Sequence, residues 1–174
     1  SSYDSSTYKE PDIYKTANKT NGMAMFCSQC RYGFKGSEKF CPSCQSVFYL
    51  KLNRFGDSTN NEWTTAVSAI AGRISQSPKN KNLGLILDLR NNPGGYLSGS
   101  VFIASEFLKD GVVVIQEEAS GIKKSYRVDR EGKLTDVPLV TLINKGSASA
   151  SEIVAGALKI RKNIQLVGET SFGK

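Results

Sequence analysis

Leu83-Gly84-Leu85-Ile86-Leu87-Asp88-Leu89-Arg90 is apolar at both odd and even positions until its last residues. A strand with one face in water alternates; a strand apolar on both parities must be covered on both faces, which is the condition of a parallel sheet. A second run, Pro138-Leu139-Val140-Thr141-Leu142-Ile143, also reads as a buried strand, and Ile164-Gln165-Leu166-Val167-Gly168 reads as a final strand. Val47 to Arg54 reads as a further strand. Between these runs the apolar spacing becomes helical. Trp63, Ala66, Val67, Ile70, Ala71 and Ile74 share one face, with Thr59 or Asn60 as the candidate cap. Leu97, Val101, Ala104, Phe107 and Leu108 share another, and a third helix is predicted from Glu152 to Lys162. Val112–Ile115 and Ser125–Val128 form a hairpin-like excursion. Strands that alternate with helices predict an α/β fold with a mostly parallel sheet.

The chain has 174 residues, 39% of them apolar, enough for one domain with a small appendage. No apolar run reaches the ~18 residues of a membrane-spanning helix. The polar start, Ser1-Ser2-Tyr3-Asp4-Ser5-Ser6-Thr7, has no apolar signal core and no initiator Met, as expected of a fragment or a mature form. Residues 1–25 are expected to be linker or disordered. The net charge of +7 is spread along the chain. Its densest cluster, Lys159-Ile160-Arg161-Lys162, falls at a predicted helix C-terminus, where cations complement the dipole. The charge therefore requires no nucleic-acid partner.

All four cysteines lie in residues 26–45, as Cys27-x2-Cys30 and Cys41-x2-Cys44. Two such knuckles supply four thiolates for one tetrahedral zinc, and a segment this short needs a metal to fold. Two disulfides and a redox pair are the competing accounts. The repeated Phe26-Cys27 and Phe40-Cys41 make the segment similar to small zinc ribbons, although Arg31 and Gln45 stand where those often have Gly. Such a site is closed and structural.

Chemistry is narrowed by the absence of histidine. A Ser-His-Asp triad cannot be built within this chain, so a nucleophilic serine would need another base, usually a desolvated lysine. The turn Gly146-Ser147-Ala148-Ser149-Ala150-Ser151-Glu152 joins a predicted buried strand to a helix. It would present a small side chain beside free backbone N–H groups. Ser149-x-x-Glu152 also fits a capping box, which by itself makes Ser149 only a helix cap. The turn Asn91-Asn92-Pro93-Gly94-Gly95 follows the first apolar strand; it is either a tight connection or a place where a Gly N–H faces a ligand.

Three stretches, in this order, resemble the carboxy-terminal processing proteases, serine peptidases of family S41 that use a Ser-Lys pair. They are Leu87-Asp88-Leu89-Arg90-Asn91-Asn92-Pro93-Gly94-Gly95, then Asn144-Lys145-Gly146-Ser147-Ala148-Ser149-Ala150-Ser151-Glu152-Ile153, then Gly168-Glu169-Thr170-Ser171-Phe172-Gly173-Lys174. The resemblance covers residues 46–174 and implies a crotonase- and Clp-protease-like core of ββα units. It implies Ser149 as nucleophile, Lys174 as general base, and the N–H groups of Gly95 and Ala150 as the oxyanion hole. It implies no cofactor for catalysis, a protein or peptide substrate with an exposed C-terminus, and it leaves a homo-oligomer open. The family's glutamine four residues beyond the lysine has no counterpart, because the sequence ends at Lys174, and the core is expected to be incomplete there. A zinc-ribbon-like segment stands where a PDZ domain is usual.

Lys174 must be neutral to accept a proton, so burial beside Phe172 is expected to lower its pKa from about 10.4. The competing functions are a truncated or inactive protease-like binding module and, more remotely, acyl-CoA chemistry on the same fold class. Zinc thiolates suit a reducing cytoplasm, whereas the family often works outside it.

Overall fold

The computed structural model describes residues 47–77 and 83–174, with the backbone strand 23–24. The four cysteines, and with them the expected zinc ribbon, lie outside the described residues. In chain order the elements are β1 (Met23–Ala24), β2 (Val47–Leu52), α1 (Thr59–Ser75), β3 (Gly84–Asp88) and α2 (Leu97–Ser105). They continue with β4 (Val112–Glu117), β5 (Lys123–Arg127), β6 (Leu139–Ile143), α3 (Ala150–Lys162) and β7 (Gln165–Gly168). The expected α/β class is what forms. Five strands make one sheet in the order β1-β2-β3-β6-β7. Strands β2, β3, β6 and β7 run parallel, and only β1 is antiparallel, on the outer edge of β2.

The two-sided apolar strands occupy the interior of this sheet. Leu85 and Leu87 of β3 pair with Leu139 and Thr141 of β6, and all four are buried. One continuous core then gathers Phe48, Leu50 and Leu52 from β2, Trp63, Val67 and Ile70 from α1, Val101 and Ile103 from α2, and Val154 and Leu158 from α3. Burying a side chain of this size contributes roughly 1.5–3 kcal/mol. The predicted excursion is an antiparallel two-stranded ribbon, β4–β5, separate from the main sheet.

Several boundaries differ from expectation, two of them at helix ends where packing is affected. The second helix ends at Ser105, so Phe107 and Leu108 sit in the following turn, yet both are buried. Phe107 meets the edge of Trp63 with ring centroids 5.8 Å apart. The turn is held by Glu106, 1% exposed, which accepts from Trp63 Nε1 (3.3 Å) and Arg130 (2.7 Å). At the start of α1 the cap is Ser58, not Thr59 or Asn60. Thr59 Oγ1 instead accepts from the Gly56 N–H (2.9 Å) and donates to the Arg54 carbonyl (3.2 Å), stapling the loop after β2.

Parallel β2, β3, β6 and β7 place their carboxyl ends together, which is where open α/β sheets bind ligands. The turns after β3 and β6 and the segment after β7 all emerge at that end.

Candidate active site

The three serines of the turn after β6 have different fates. Ser147 is fully buried; its Oγ donates to the Leu89 carbonyl (2.8 Å) and accepts from the Asn144 N–H (3.0 Å). Ser151 is fully buried and donates to the Asn92 carbonyl (2.9 Å). Ser149 alone is partly exposed, at the N-cap of α3 with φ 55° and ψ −118°. That is a positive φ outside the left-handed helical well. A non-glycine residue held there costs about 1–3 kcal/mol and is characteristic of functional turns. The capping box predicted for Ser149 and Glu152 is formed as well, so cap and candidate nucleophile are the same residue.

The Gly94-Gly95 turn is pressed against this serine. Gly94 has φ 96° and Gly95 φ 142°. A methyl group on Gly94 would stand 2.8 Å from Ser149 Cβ and 2.9 Å from Ala150 N. One on Gly95 would lie 1.9 Å from the Phe55 carbonyl oxygen, so both positions require glycine. Phe55 N donates to Gly94 O (2.9 Å) and Tyr96 N to Phe55 O (3.1 Å), which leaves the intervening Gly95 N–H out of the pairing. Among the described residues neither the Gly95 nor the Ala150 N–H has a hydrogen-bond acceptor.

Glu152, given only a capping role by sequence, is the hub of the site. Its Oε2 accepts from the N–H of Ser149 (2.9 Å) and of Lys174 (3.0 Å). Its Oε1 accepts from Ser171 Oγ (2.7 Å) and the Gly173 N–H (2.7 Å). One carboxylate thus joins the Ser149 turn to the Lys174 segment, and the Phe172 N–H adds a bond to Ser147 O (2.9 Å). Partial burial pushes the Glu152 pKa up, but these four donors outweigh it and hold the carboxyl below its usual range. The burial expected around Lys174 is not supplied by its neighbour: Lys174 is exposed and Phe172 is 68% exposed. The segment is anchored by its backbone, and backbone anchorage does not cover side chains.

The turns after β3 and β6 are tied to each other. Asn91 N donates to Asn144 Oδ1 (2.8 Å) and Asn144 Nδ2 to Asn91 Oδ1 (2.9 Å). Asn92, fully buried, donates through Nδ2 to Leu52 O (2.7 Å) and accepts the Gly94 N–H at Oδ1 (2.9 Å). Its carbonyl accepts from Ala148 N (3.0 Å) and Ser151 Oγ. Sequence reading passed over Asn91, Asn92 and Asn144. The available signal was an Asn pair before Pro-Gly-Gly, since Asn side chains bond to nearby backbone in turns. Asp88, at the end of β3, is fully buried and forms a 2.7 Å ion pair with Arg90 while accepting from the Tyr49 hydroxyl. Burial pushes the Asp88 pKa up, but Arg90 and Tyr49 outweigh it and keep the carboxylate ionised. Asp88 and Arg90 thereby pair and shape the turn. Among the described residues no group of His, Cys, Asp or Glu is placed to hold a metal, and no helix is long and apolar enough to cross a membrane.

A strained serine at a helix start, a facing glycine turn and N–H groups without acceptors among the described residues come together at this end of the sheet. The sequence pattern of peptidase family S41 matches residues 46–174. The carboxyl-terminal-processing protease of Synechocystis is 41% identical over 130 residues, 75% of this chain and 29% of that protein. The carboxy-terminal processing protease CtpA of Bacillus subtilis is 36% identical over 126 residues, 72% of this chain and 25% of that protein. The structure of a photosystem II D1 C-terminal processing protease superposes with a TM-score of 0.67 at 34% identity, covering 78% of this chain and 34% of that one. The chain belongs to peptidase family S41, as its three motifs led us to expect. It spans less than a third of the length of these two relatives.

Proposed function

We propose that the protein containing this chain is a serine endopeptidase that cleaves proteins near their C-termini, with Ser149 as nucleophile and Lys174 as general base. The observation that carries this reading is the Glu152 carboxylate, which fastens the one partly exposed serine of the turn and the lysine segment to one group. The names of the relatives support the C-terminal preference.

In the reaction, neutral Lys174 Nζ takes the Ser149 hydroxyl proton as Oγ bonds to the scissile carbonyl carbon. The resulting oxyanion lies within reach of the Gly95 and Ala150 N–H groups, which are preorganised for it. Collapse breaks the C–N bond, and the Lys174 ammonium returns its proton to the departing amine. A water then loses a proton to Lys174 and attacks the ester; Ser149 leaves as the alcohol on regaining that proton. No cofactor takes part.

The test is cleavage of a peptide with a free C-terminus by the wild type and Ser149→Ala, together with labelling of Ser149 by a fluorophosphonate. Cleavage that survives Ser149→Ala overturns the assignment. A second reading is a protease-like binding module without turnover; absent labelling of Ser149 combined with retained partner binding would support it. For residues 26–45 the spacing of Cys27, Cys30, Cys41 and Cys44 supports one closed structural zinc; one equivalent of zinc in the purified protein is expected, and stoichiometric disulfide would refute it.

A further inference from the structure

We infer that Asn92 is a positioning residue that sets the separation between the two oxyanion-binding N–H groups; this rests on the reading of Ser149 as nucleophile. Each proposed donor is one residue from an atom pinned to Asn92. Gly95 follows Gly94, whose N–H is bonded to Asn92 Oδ1 (2.9 Å). Ala150 lies between Ala148 and Ser151, whose N–H (3.0 Å) and Oγ (2.9 Å) are both bonded to the Asn92 carbonyl. The side chain is itself fixed, because Nδ2 donates to Leu52 O (2.7 Å) at the end of β2 and the residue is fully buried.

The turns after β3 and β6 come from strands that share one sheet, but a sheet fixes turns only to within the play of their backbones. Two convergent donors must be held more closely than that, since a misplacement of ~1 Å can cost about a hundredfold in rate. Asn92 closes the loop between the turns with four hydrogen bonds from one residue. Its main-chain carbonyl, which any residue offers, accepts two of them; only a side-chain amide can make the other two. It accepts from Gly94 and donates to Leu52, which Asp cannot do without setting a carboxylate against a carbonyl, and which Ala cannot do at all. Ser151 supplies the second tie, and its hydroxyl has no other partner among the described residues.

The experiment compares wild type, Asn92→Ala, Asn92→Asp and Ser151→Ala. The readouts are the second-order rate of Ser149 phosphonylation by a fluorophosphonate, the affinity of a peptide aldehyde, and kcat and KM on a peptide substrate. The phosphoryl oxygen of the phosphonate adduct and the hemiacetal oxygen of the aldehyde adduct both accept from the two N–H groups, so a displaced hole weakens them together. Expected for Asn92→Ala is a loss of about 10–100-fold in labelling rate, aldehyde affinity and kcat, with KM within about threefold and the pH midpoint of labelling unmoved. Ser151→Ala should lose less, and the two substitutions should be less than additive, because they remove different bonds that set the same separation between the two N–H groups. Should Asn92→Ala not fold, Ser151→Ala decides, since it leaves the Asn92 amide bonds in place. Lower thermal stability with unchanged labelling and aldehyde affinity would make Asn92 merely structural and overturn the inference alone. A wild-type chain that is never labelled at Ser149 would overturn the nucleophile assignment, and this inference with it.

Discussion

Replacing Glu152 separates the function of the cap from that of the hub. In Glu152→Gln one oxygen becomes an NH2 group, which cannot accept. The lower-cost orientation puts that group at Oε1, where the Ser171 hydroxyl can rotate to accept from it and only the Gly173 N–H loses its partner. The remaining bonds lose charge assistance. Because the carboxylate is only half-buried, water replaces part of what is lost, and about 1–2 kcal/mol is a reasonable sum for these changes. That is roughly 5–30-fold in the docked population of residues 171–174. Glu152→Ala removes all four bonds and should cost about 2–4 kcal/mol by the same reckoning.

The assay is hydrogen exchange of the Gly173 and Lys174 amides, followed by NMR on this chain, so no substrate is needed. Protection should fall in the order wild type, Gln, Ala, while the amides of β3 and β6 keep theirs. Acid should mimic the substitution. The docked carboxyl has a lowered pKa, so the undocked state binds the proton more tightly. Docking is therefore fully stabilised above the ordinary value of 4.5 and is lost as pH falls through the lower docked value. Unchanged protection of Gly173 and Lys174 in Glu152→Ala would refute the hub.

Three further outcomes are expected. Ser149→Gly should abolish peptide cleavage yet raise the melting temperature, because glycine relieves a positive φ worth about 1 kcal/mol; a scanning calorimetry trace reads it. Gly95→Ala should lower the urea midpoint strongly, since its methyl would stand 1.9 Å from the Phe55 carbonyl, and labelling of Ser149 should disappear. Arg90→Ala leaves the Asp88 carboxylate buried without its cation, at a cost of about 2–3 kcal/mol given the partial exposure of Arg90, and Tyr49→Phe should cost less; chemical denaturation measures both.

How far these features were legible in sequence follows from the range of the forces involved. The two-sided apolar runs at β3 and β6 announced a covered parallel sheet, because burial leaves its mark on each residue. The motif singled out Ser149 as the candidate among three serines; in the structure Ser147 and Ser151 bond to the carbonyls of Leu89 and Asn92. Glu152 was underestimated because a capping box explains it within three residues, while its bonds to Ser171, Gly173 and Lys174 span 19 to 22 residues and leave no local periodicity. The cover expected for Lys174 from Phe172 failed for a similar reason. Apolar character predicts a preference for burial, but a short segment held by main-chain bonds has no side to bury. Phe107 and Leu108 fit the helical spacing of α2 and are buried, but helix and tight turn give the same apolar signature there.

The fastening of residues 171–174 bears on how such a site can diversify. Three of its four ties, from Phe172, Gly173 and Lys174, use backbone N–H groups, which every residue but proline provides. The path of the segment is thus written mostly in the main chain and in a single acid, and residue identity enters at the Ser171 hydroxyl and at Gly173, whose φ is 84°. Position 172 can accordingly change from aromatic to aliphatic or polar without moving its neighbour. A lineage, or a designer, can retune what the rim touches there while the chemistry beside it stays in place.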